Sequence, residues 1–370
     1  MLNHVGAGRD VEEPAVASKH TFRERAAPEG AVRSLSPAAF GSIDFAVLED
    51  DAIWTRSWVS IGFEDEIAAA GDILPFTVGY HGVHVERLRG GGLAGRFNKA
   101  QHGGCRVVPV QCQTGAKTRC SFTACGYSHD RRPIAANAAD AERALDQYLG
   151  LRPERLLPVA VRTFGGLIAV NLDPSSVAAP SWPDAAASGF DYSGQESADR
   201  LGPEATHWVE CDADWKLIAH NLALGVQRSS ARDFIHTSIK LESDRSATAT
   251  ILFPNAVILT AHQQRCMVIL QPVALGRTLC RIRIFGRFPA VESYRSALRG
   301  WLADIVPRLS AAEASQVALR FDPTEIALNH DRRTPLRDAG APAPWLEARI
   351  SELTQSAPRD ANETFYTTRK

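Results

Sequence analysis

Residues 214–236 read DWKLIAHNLALGVQRSSARDFIH, and how this stretch is read decides the organisation of the chain around it. Asp214, Trp215 and Lys216 open it, Asn221 stands near its middle, and His220, Asp233 and His236 are groups able to move a proton, with Gln227 and Arg232 between them. On a helix, His236 three residues after Asp233 shares its face, so the acid would orient the imidazole for acid–base work; an ordinary surface or capping contact gives the same spacing. Upstream, THWVECDA at 206–213 reads as a strand. Downstream, LCRIRIF at 279–285 alternates, with Cys280, Ile282 and Ile284 on one face and Arg281 and Arg283 on the other, as expected for a sheet with one wet side. Tyr294, Leu298, Trp301, Leu302 and Ile305 then fall at helical spacing, and Ser310 with Glu313 makes a capping box that predicts the start of a further helix.

Working outward, residues 203–360 form the second of about two domains predicted by a length of 370 residues. The Pro/Ser/Ala-rich stretch 173–202 reads as the linker that precedes it. Residues 71–172 carry short β-rich runs punctuated by Gly71-Asp72, Gly90-Gly91-Gly92 and Gly165-Gly166, the mark of a small antiparallel lobe, interrupted by a short helix predicted at 136–149. Residues 34–70 form a helical segment, in which Ser36-Pro37 and Ser42 supply N-terminal caps and Trp54 and Trp58 are expected on one face. Residues 1–33 and 361–370 read as tails, the first disordered.

Several motifs of this chain occur in the order used by one family. The segment 214–236 is similar to the pattern N/D-W-K-x3-E-N-x2-E-x-Y-H-x4-H, and FNKAQHGGCRVVPVQCQTGAKTRCSFTACGYSHD at 97–130 resembles C-x-H-R-G followed by C-P-Y-H-G-W-x-Y-D. With the landmarks SPAAFGSIDFAVLEDDAIWTRSWVSIGFEDEI, GDILPFTVGYHGVHVERL, VRTFGGLIAVNLDP and LFPNAVI, the chain resembles the alpha subunits of Rieske non-heme iron, aromatic ring-hydroxylating oxygenases over roughly residues 35–335. That resemblance implies an α+β fold: a small antiparallel β Rieske-like lobe, and a helix-grip domain, START/SRPBCC-like, whose antiparallel sheet wraps a long helix. It also implies that helix at 214–236.

The same alignment implies that both metal sites are degenerate. At the mononuclear iron, the two histidine positions fall on Gln227 and Arg232, the electron-passing acid is Leu224, and the glutamate before Asn221 is His220. The third ligand position aligns with Glu325, with Asp322 competing for it. A 2-His-1-carboxylate site needs two neutral imidazoles, and a guanidinium has no lone pair to give. At the iron–sulfur cluster, the four ligand positions become Ala100, His102, Phe122 and Cys125. A gap shift that recruits Cys120 puts Thr123 in place of its histidine, so either alignment breaks the two-cysteine, two-histidine set. The expectation is a chain with no resident cofactor. One alternative keeps a metal in the lobe, since His102, Cys105, Cys120 and Cys125 form an H-x2-C…C-x4-C set that zinc would accept; the other reading makes these ordinary cysteines. In the pocket, an arginine–glutamate pair of Arg232 and Glu325 would occupy the place of iron, with Gln227 hydrogen-bonded nearby, and an exposed Arg232 is the competing expectation.

Composition sets limits. Apolar content of 45% and charged content of 22% are those of a soluble globule, and a net charge of -1 gives no electrostatic case for nucleic acid or an anionic membrane. No apolar run reaches a membrane span, no signal pattern opens the chain, and seven scattered cysteines suit free thiols, so a cytoplasmic location is expected. Three functions stay open. The first is an inert or repurposed subunit in a homo- or hetero-trimer, with an intact alpha subunit as partner. The second is a metal-independent enzyme acting on a small organic substrate through His220, Gln227, Asp233 and His236. The third is an oxygenase with relocated ligands such as His220 and His236.

Overall fold

Long alternating strands around Gln264–Phe285 give the molecule its spine. The structure is a computed structural model that describes residues 35, 37–98, 156–175, 179–180, 182–183, 205–320, 336 and 340–356. Strands β12 (Gln264–Ala274) and β13 (Arg277–Phe285) pair antiparallel through a turn at Gly276, whose positive φ suits a residue without Cβ. Around them lie β7 (His207–Cys211), β8 (Val226–Ala231), β9 (Phe234–Lys240), β10 (Ser246–Leu252) and β11 (Ala256–Ala261), giving a seven-stranded sheet of order β7-β13-β12-β11-β10-β9-β8. A second sheet has six strands: β1 (Val59–Phe63), β2 (Ile73–Val78), β3 (His81–Arg87), β4 (Leu93–Phe97), β5 (Pro158–Phe164) and β6 (Leu167–Asn171), in the order β1-β6-β5-β4-β3-β2. Every pairing in both sheets is antiparallel. The strand expected from THWVECDA is β7, and the fold is α+β as expected.

One face of the large sheet packs under helices. Helix α2 (Trp215–Ala223) buries Trp215, Leu217, Ile218 and Leu222 against Ile235, Ile251, Leu259, Val268 and Ile282. Helix α3 (Val291–Arg320) adds Tyr294, Trp301 and Ile305 to the same core, with Leu298 and Leu302 partly buried against it, the residues whose helical spacing predicted it, and Leu309 continues the row. Pro307 lies inside α3, and Ser310 with Glu313 does not start a new helix, because α3 runs through both. Glu313 instead accepts the amide of Asp212 at 3.0 Å, tying α3 to the loop before α2. Helix α4 (Ala343–Ser356) and helix α1 (Ile43–Glu49), which continues as a π-type turn over Asp50–Trp54, complete this layer. Ser42 caps α1 by accepting the amide of Phe45 at 3.1 Å, as its position in the sequence predicts.

The opposite face of the large sheet overturns a reading made from alternation. Arg281 and Arg283 do not line a wet side; both are fully buried. The six-stranded sheet and the short turn Glu64–Ile67 that follows β1 lie over them. Arg281 donates to the carbonyl of Ile61 at 3.1 Å and to Gln271 Oε1 at 3.2 Å, with its guanidinium stacked against Phe76 and Trp208. Arg283 pairs with Asp65 and donates to Thr206 Oγ1 at 3.2 Å. Asn255 adds a second inter-sheet tie by exchanging hydrogen bonds with the backbone of Ser60 at 2.9 and 2.8 Å.

Trp54 and Trp58 do not share a face either. Trp54 meets Trp215 edge-on in the helix-side core, whereas Trp58 belongs to the inter-sheet core with Phe63, Met267 and Phe285, because the helix ends between them. Trp182, within the stretch predicted as a linker, is buried in that inter-sheet core edge-on to Phe164. The predicted tails, Ser36 and the predicted helix at 136–149 lie outside the described residues. Among the described residues no helix is long and apolar enough to cross a membrane.

Candidate functional site

The segment 214–236 splits in two. Its first half is a buried anchor. Asp214 caps α2 by accepting the amide of Lys216 at 2.9 Å, and its own amide donates to Gln316 Oε1 of α3 at 2.9 Å. Lys216 is fully buried and reaches Glu49 Oε1 of α1 at 2.6 Å and Asp214 Oδ1 at 2.9 Å, while Trp215 Nε1 donates to the same Glu49 oxygen at 3.3 Å. Burial pushes the Glu49 carboxyl up to about 7, with Lys216 opposing it; burial also works against the Lys216 ammonium, but Asp214 and Glu49 outweigh it and its pKa is raised. The Asp-Trp-Lys triplet thus ties α2 to α1 through a largely buried charge cluster and to α3 through the neutral Gln316 amide.

The second half is not a helix. Expected to run to His236, α2 stops at Ala223, and residues 226–240 form the β8–β9 hairpin. The cause is local. Gly225 follows the last helical turn, and a Cβ there would lie 2.2 Å from the carbonyl oxygen of Ser238, so the returning strand requires glycine. Strand β8 is the edge of the sheet, exposed along nearly all its length.

This refolding decides where the expected site residues stand. Gln227 is exposed on β8, with its amide nitrogen 3.1 Å from Ser230 Oγ. The Arg232 side chain is 65% exposed and pairs at 3.2 Å with Glu352 of α4, itself half exposed, so the competing expectation of a surface arginine holds. Glu325 and Asp322 lie outside the described residues, and the pairing of Arg232 is with Glu352. Asp233 and His236 do not make a dyad: Asp233 accepts from Arg349 Nη2 at 3.0 Å, and His236 Nδ1 lies 2.6 Å from Thr250 Oγ1. They stand at the turn and on a strand, where the three-residue spacing that works on a helix brings nothing together.

His220 and His236 lie on opposite sides of the sheet. His220 is buried on α2, where burial pushes it down to about 4 and its Nδ1 meets no hydrogen-bond partner among the described residues. On β9, Thr237 points to α2 and donates to the carbonyl of Ala223 at 2.8 Å; its neighbour His236 therefore faces away, half-buried and with its pKa lowered by burial.

The chemistry of these donors does not suit iron. An exposed amide and a surface guanidinium in a salt bridge stand at the two positions where the resemblance expects imidazoles, and neither side chain offers a neutral nitrogen lone pair. Among the described residues no three His, Cys, Asp or Glu side chains converge as a metal set. The degenerate cluster positions Ala100, His102, Phe122 and Cys125, and the zinc set His102, Cys105, Cys120 and Cys125, lie outside the described residues. Sequence reasoning missed Glu49 as the partner of Lys216, since nothing in α1 signals a buried acid meeting a lysine 167 positions away.

No protein-family model matches the chain. Among curated proteins it is 25% identical over 189 residues to the benzene 1,2-dioxygenase alpha subunit of Pseudomonas putida, covering 50% of this chain and 41% of that protein. It is 27% identical over 171 residues to the biphenyl 2,3-dioxygenase alpha subunit of Rhodococcus jostii, covering 44% and 35%. It is 24% identical over 211 residues to the glycine betaine monooxygenase oxygenase subunit of Chromohalobacter salexigens, covering 57% and 46%. The matched part thus spans less than half the length of these curated relatives. In fold, the chain is similar to a quaternary ammonium Rieske monooxygenase in complex with L-carnitine, with a TM-score of 0.58 and 14% identity over 87% of this chain and 96% of that one. It is also similar to naphthalene 1,2-dioxygenase from Rhodococcus sp., with a TM-score of 0.55 and 16% identity over 88% and 95%.

Proposed function

The chain is a divergent relative of the Rieske oxygenase alpha subunits, and from that premise we propose that it works without a mononuclear iron, as a non-catalytic or repurposed subunit. One observation carries this reading: the second half of the segment that resembles the family's ligand-bearing helix is here an exposed edge strand that turns into β9, with Arg232 at a ligand position held in a surface ion pair. A subunit that assembles rather than reacts needs the scaffold and not the metal, and the buried Asp214–Trp215–Lys216–Glu49 anchor is such a scaffold. In this reading the chain assembles as a homo-trimer, or as a hetero-trimer with an intact alpha subunit, with no iron–sulfur cluster in its β lobe.

The test is elemental analysis and a visible spectrum of full-length protein purified without oxygen and reconstituted with iron and sulfide. The proposal expects iron far below one atom per chain and no Rieske-type absorbance. Stoichiometric iron with that absorbance would overturn it.

A further inference from the structure

The rim of the large sheet holds a different feature, lined by the neighbours of Gln227 but not by Gln227 or Arg232. Where α2 ends, Leu224 and Gly225 turn the chain into β8, and this corner, the ends of β9 and β11 and the start of β10 border an open cleft of about 640 Å³. That is room for a small organic molecule.

Its wall is one-signed. Among the described residues, Arg228, Lys240, His262 and Arg308 line it and no carboxylate does. Arg228 gives its Nε to Ser238 Oγ at 2.6 Å and makes no ion pair among the described residues. Arg308 is anchored through carbonyls instead of acids, donating to Asn221 O at 2.9 Å and to Lys240 O at 2.6 Å; Glu242 and Asp304 act on it only through the longer-range field. Lys240 has one acid, Asp244 at 2.8 Å, and that pair is mostly exposed and correspondingly weak. Two guanidiniums that make no ion pair among the described residues, on one concave wall, give it a positive potential.

The wall is also apolar at one side. Leu224 is 37% exposed and Val226 67%, two aliphatic side chains held in water beside the cations. Inorganic phosphate would satisfy the charge and leave these side chains wet; a neutral ligand would cover them and leave the guanidiniums unanswered.

We propose that this cleft binds a small organic carboxylate, its oxyanion held by Arg228 with Arg308 behind it and its apolar body against Leu224 and Val226. The site needs no metal and stands whether or not the chain holds iron elsewhere.

Calorimetric titration of the full chain at low ionic strength tests it, with benzoate as probe and inorganic phosphate and benzylamine as controls. The expected result is one saturable benzoate site per chain, with phosphate about tenfold weaker or more and no binding of benzylamine. Arg228→Gln should weaken benzoate about tenfold while leaving the melting temperature unchanged, since Arg228 is exposed. Val226→Ser should weaken it a few-fold by removing apolar contact. Both variants change exposed positions, whereas Arg308→Gln would also remove the carbonyl bonds that hold the corner, so Arg228→Gln and Val226→Ser are the deciding pair. Absence of saturable benzoate binding, binding unchanged in Arg228→Gln, or equal binding of phosphate or benzylamine would each overturn the proposal.

Discussion

Residues 214–223 and 224–236 belong to one sequence motif and have opposite physical characters. The first ten are the N-cap and helix of a buried anchor, with Lys216 bonded to two acids and Trp215 between Trp54 and Phe253. The next thirteen are an edge strand, a turn and the start of β9; Arg232 pairs with Glu352 of α4 at the surface and Asp233 with the buried Arg349 of the same helix. Of the motif residues that survive, Asp214, Trp215 and Lys216 are bound up with the buried Lys216–Glu49 charge pair. Of those that changed, His220 stays buried on α2, whereas Leu224, Gln227 and Arg232 are exposed, where replacing a side chain costs little.

That contrast gives its largest test in stability. Lys216→Met should lower unfolding free energy by about 3–5 kcal/mol at neutral pH, because Asp214 and Glu49 lose their buried cation. Glu49→Gln with Lys216→Met should cost less than the sum of the single changes, as expected of a coupled pair. Arg232→Ala should cost under about 1 kcal/mol, since its ion pair is exposed. Denaturant titration of the variants checks all of these, and equal losses at Lys216 and Arg232 would erase the contrast.

The second effect is pH-dependent. His220 titrates near 6.5 when unfolded and about 4 when folded, so its contribution is complete above about pH 6.5 and is lost as pH falls to about 4. Glu49 and Asp65, raised to about 7 and about 6 by burial, act with the opposite sign in overlapping windows, so a difference between variants is needed to isolate His220. Between pH 7 and 4 the parent chain should lose up to about 3 kcal/mol more than His220→Leu, measured by unfolding at each pH. A slope identical in both proteins would contradict the buried neutral imidazole.

The smallest expected effect sharpens the comparison most for function. Restoring histidines by Gln227→His with Arg232→His should leave Fe(II) affinity essentially unchanged, because both positions lie in an exposed hairpin and not on one helix face. Anaerobic Fe(II) titration reads this directly, and a new stoichiometric site would show that the segment still converges on a metal.

Much of the fold was legible in the chain. Alternation in LCRIRIF, helical spacing from Tyr294 to Ile305 and the cap at Ser42 each correspond to the element found. Alternation could not reveal what covers a second face, which is why Arg281 and Arg283 read as wet although the smaller sheet buries them. The end of α2 was also written locally, in Gly225 after a helical run, but the likeness to a longer helix outweighed that signal. The place of Trp182 in the inter-sheet core depends on long-range packing that nothing in its Pro/Ser/Ala-rich surroundings announces.

The remodelled second half of the motif can be tested with one engineered cross-link. Val226 and Ser238 face each other across the β8–β9 ladder, whereas in a continuous helix their twelve-residue separation would put them about 18 Å apart. The double variant Val226→Cys, Ser238→Cys should form an intramolecular disulfide on mild oxidation, located by peptide mapping, because paired strand positions lie within disulfide reach. Two thiols that stay free under conditions that oxidise exposed cysteine pairs would contradict the hairpin, and with it the claim that this segment no longer presents ligands to iron.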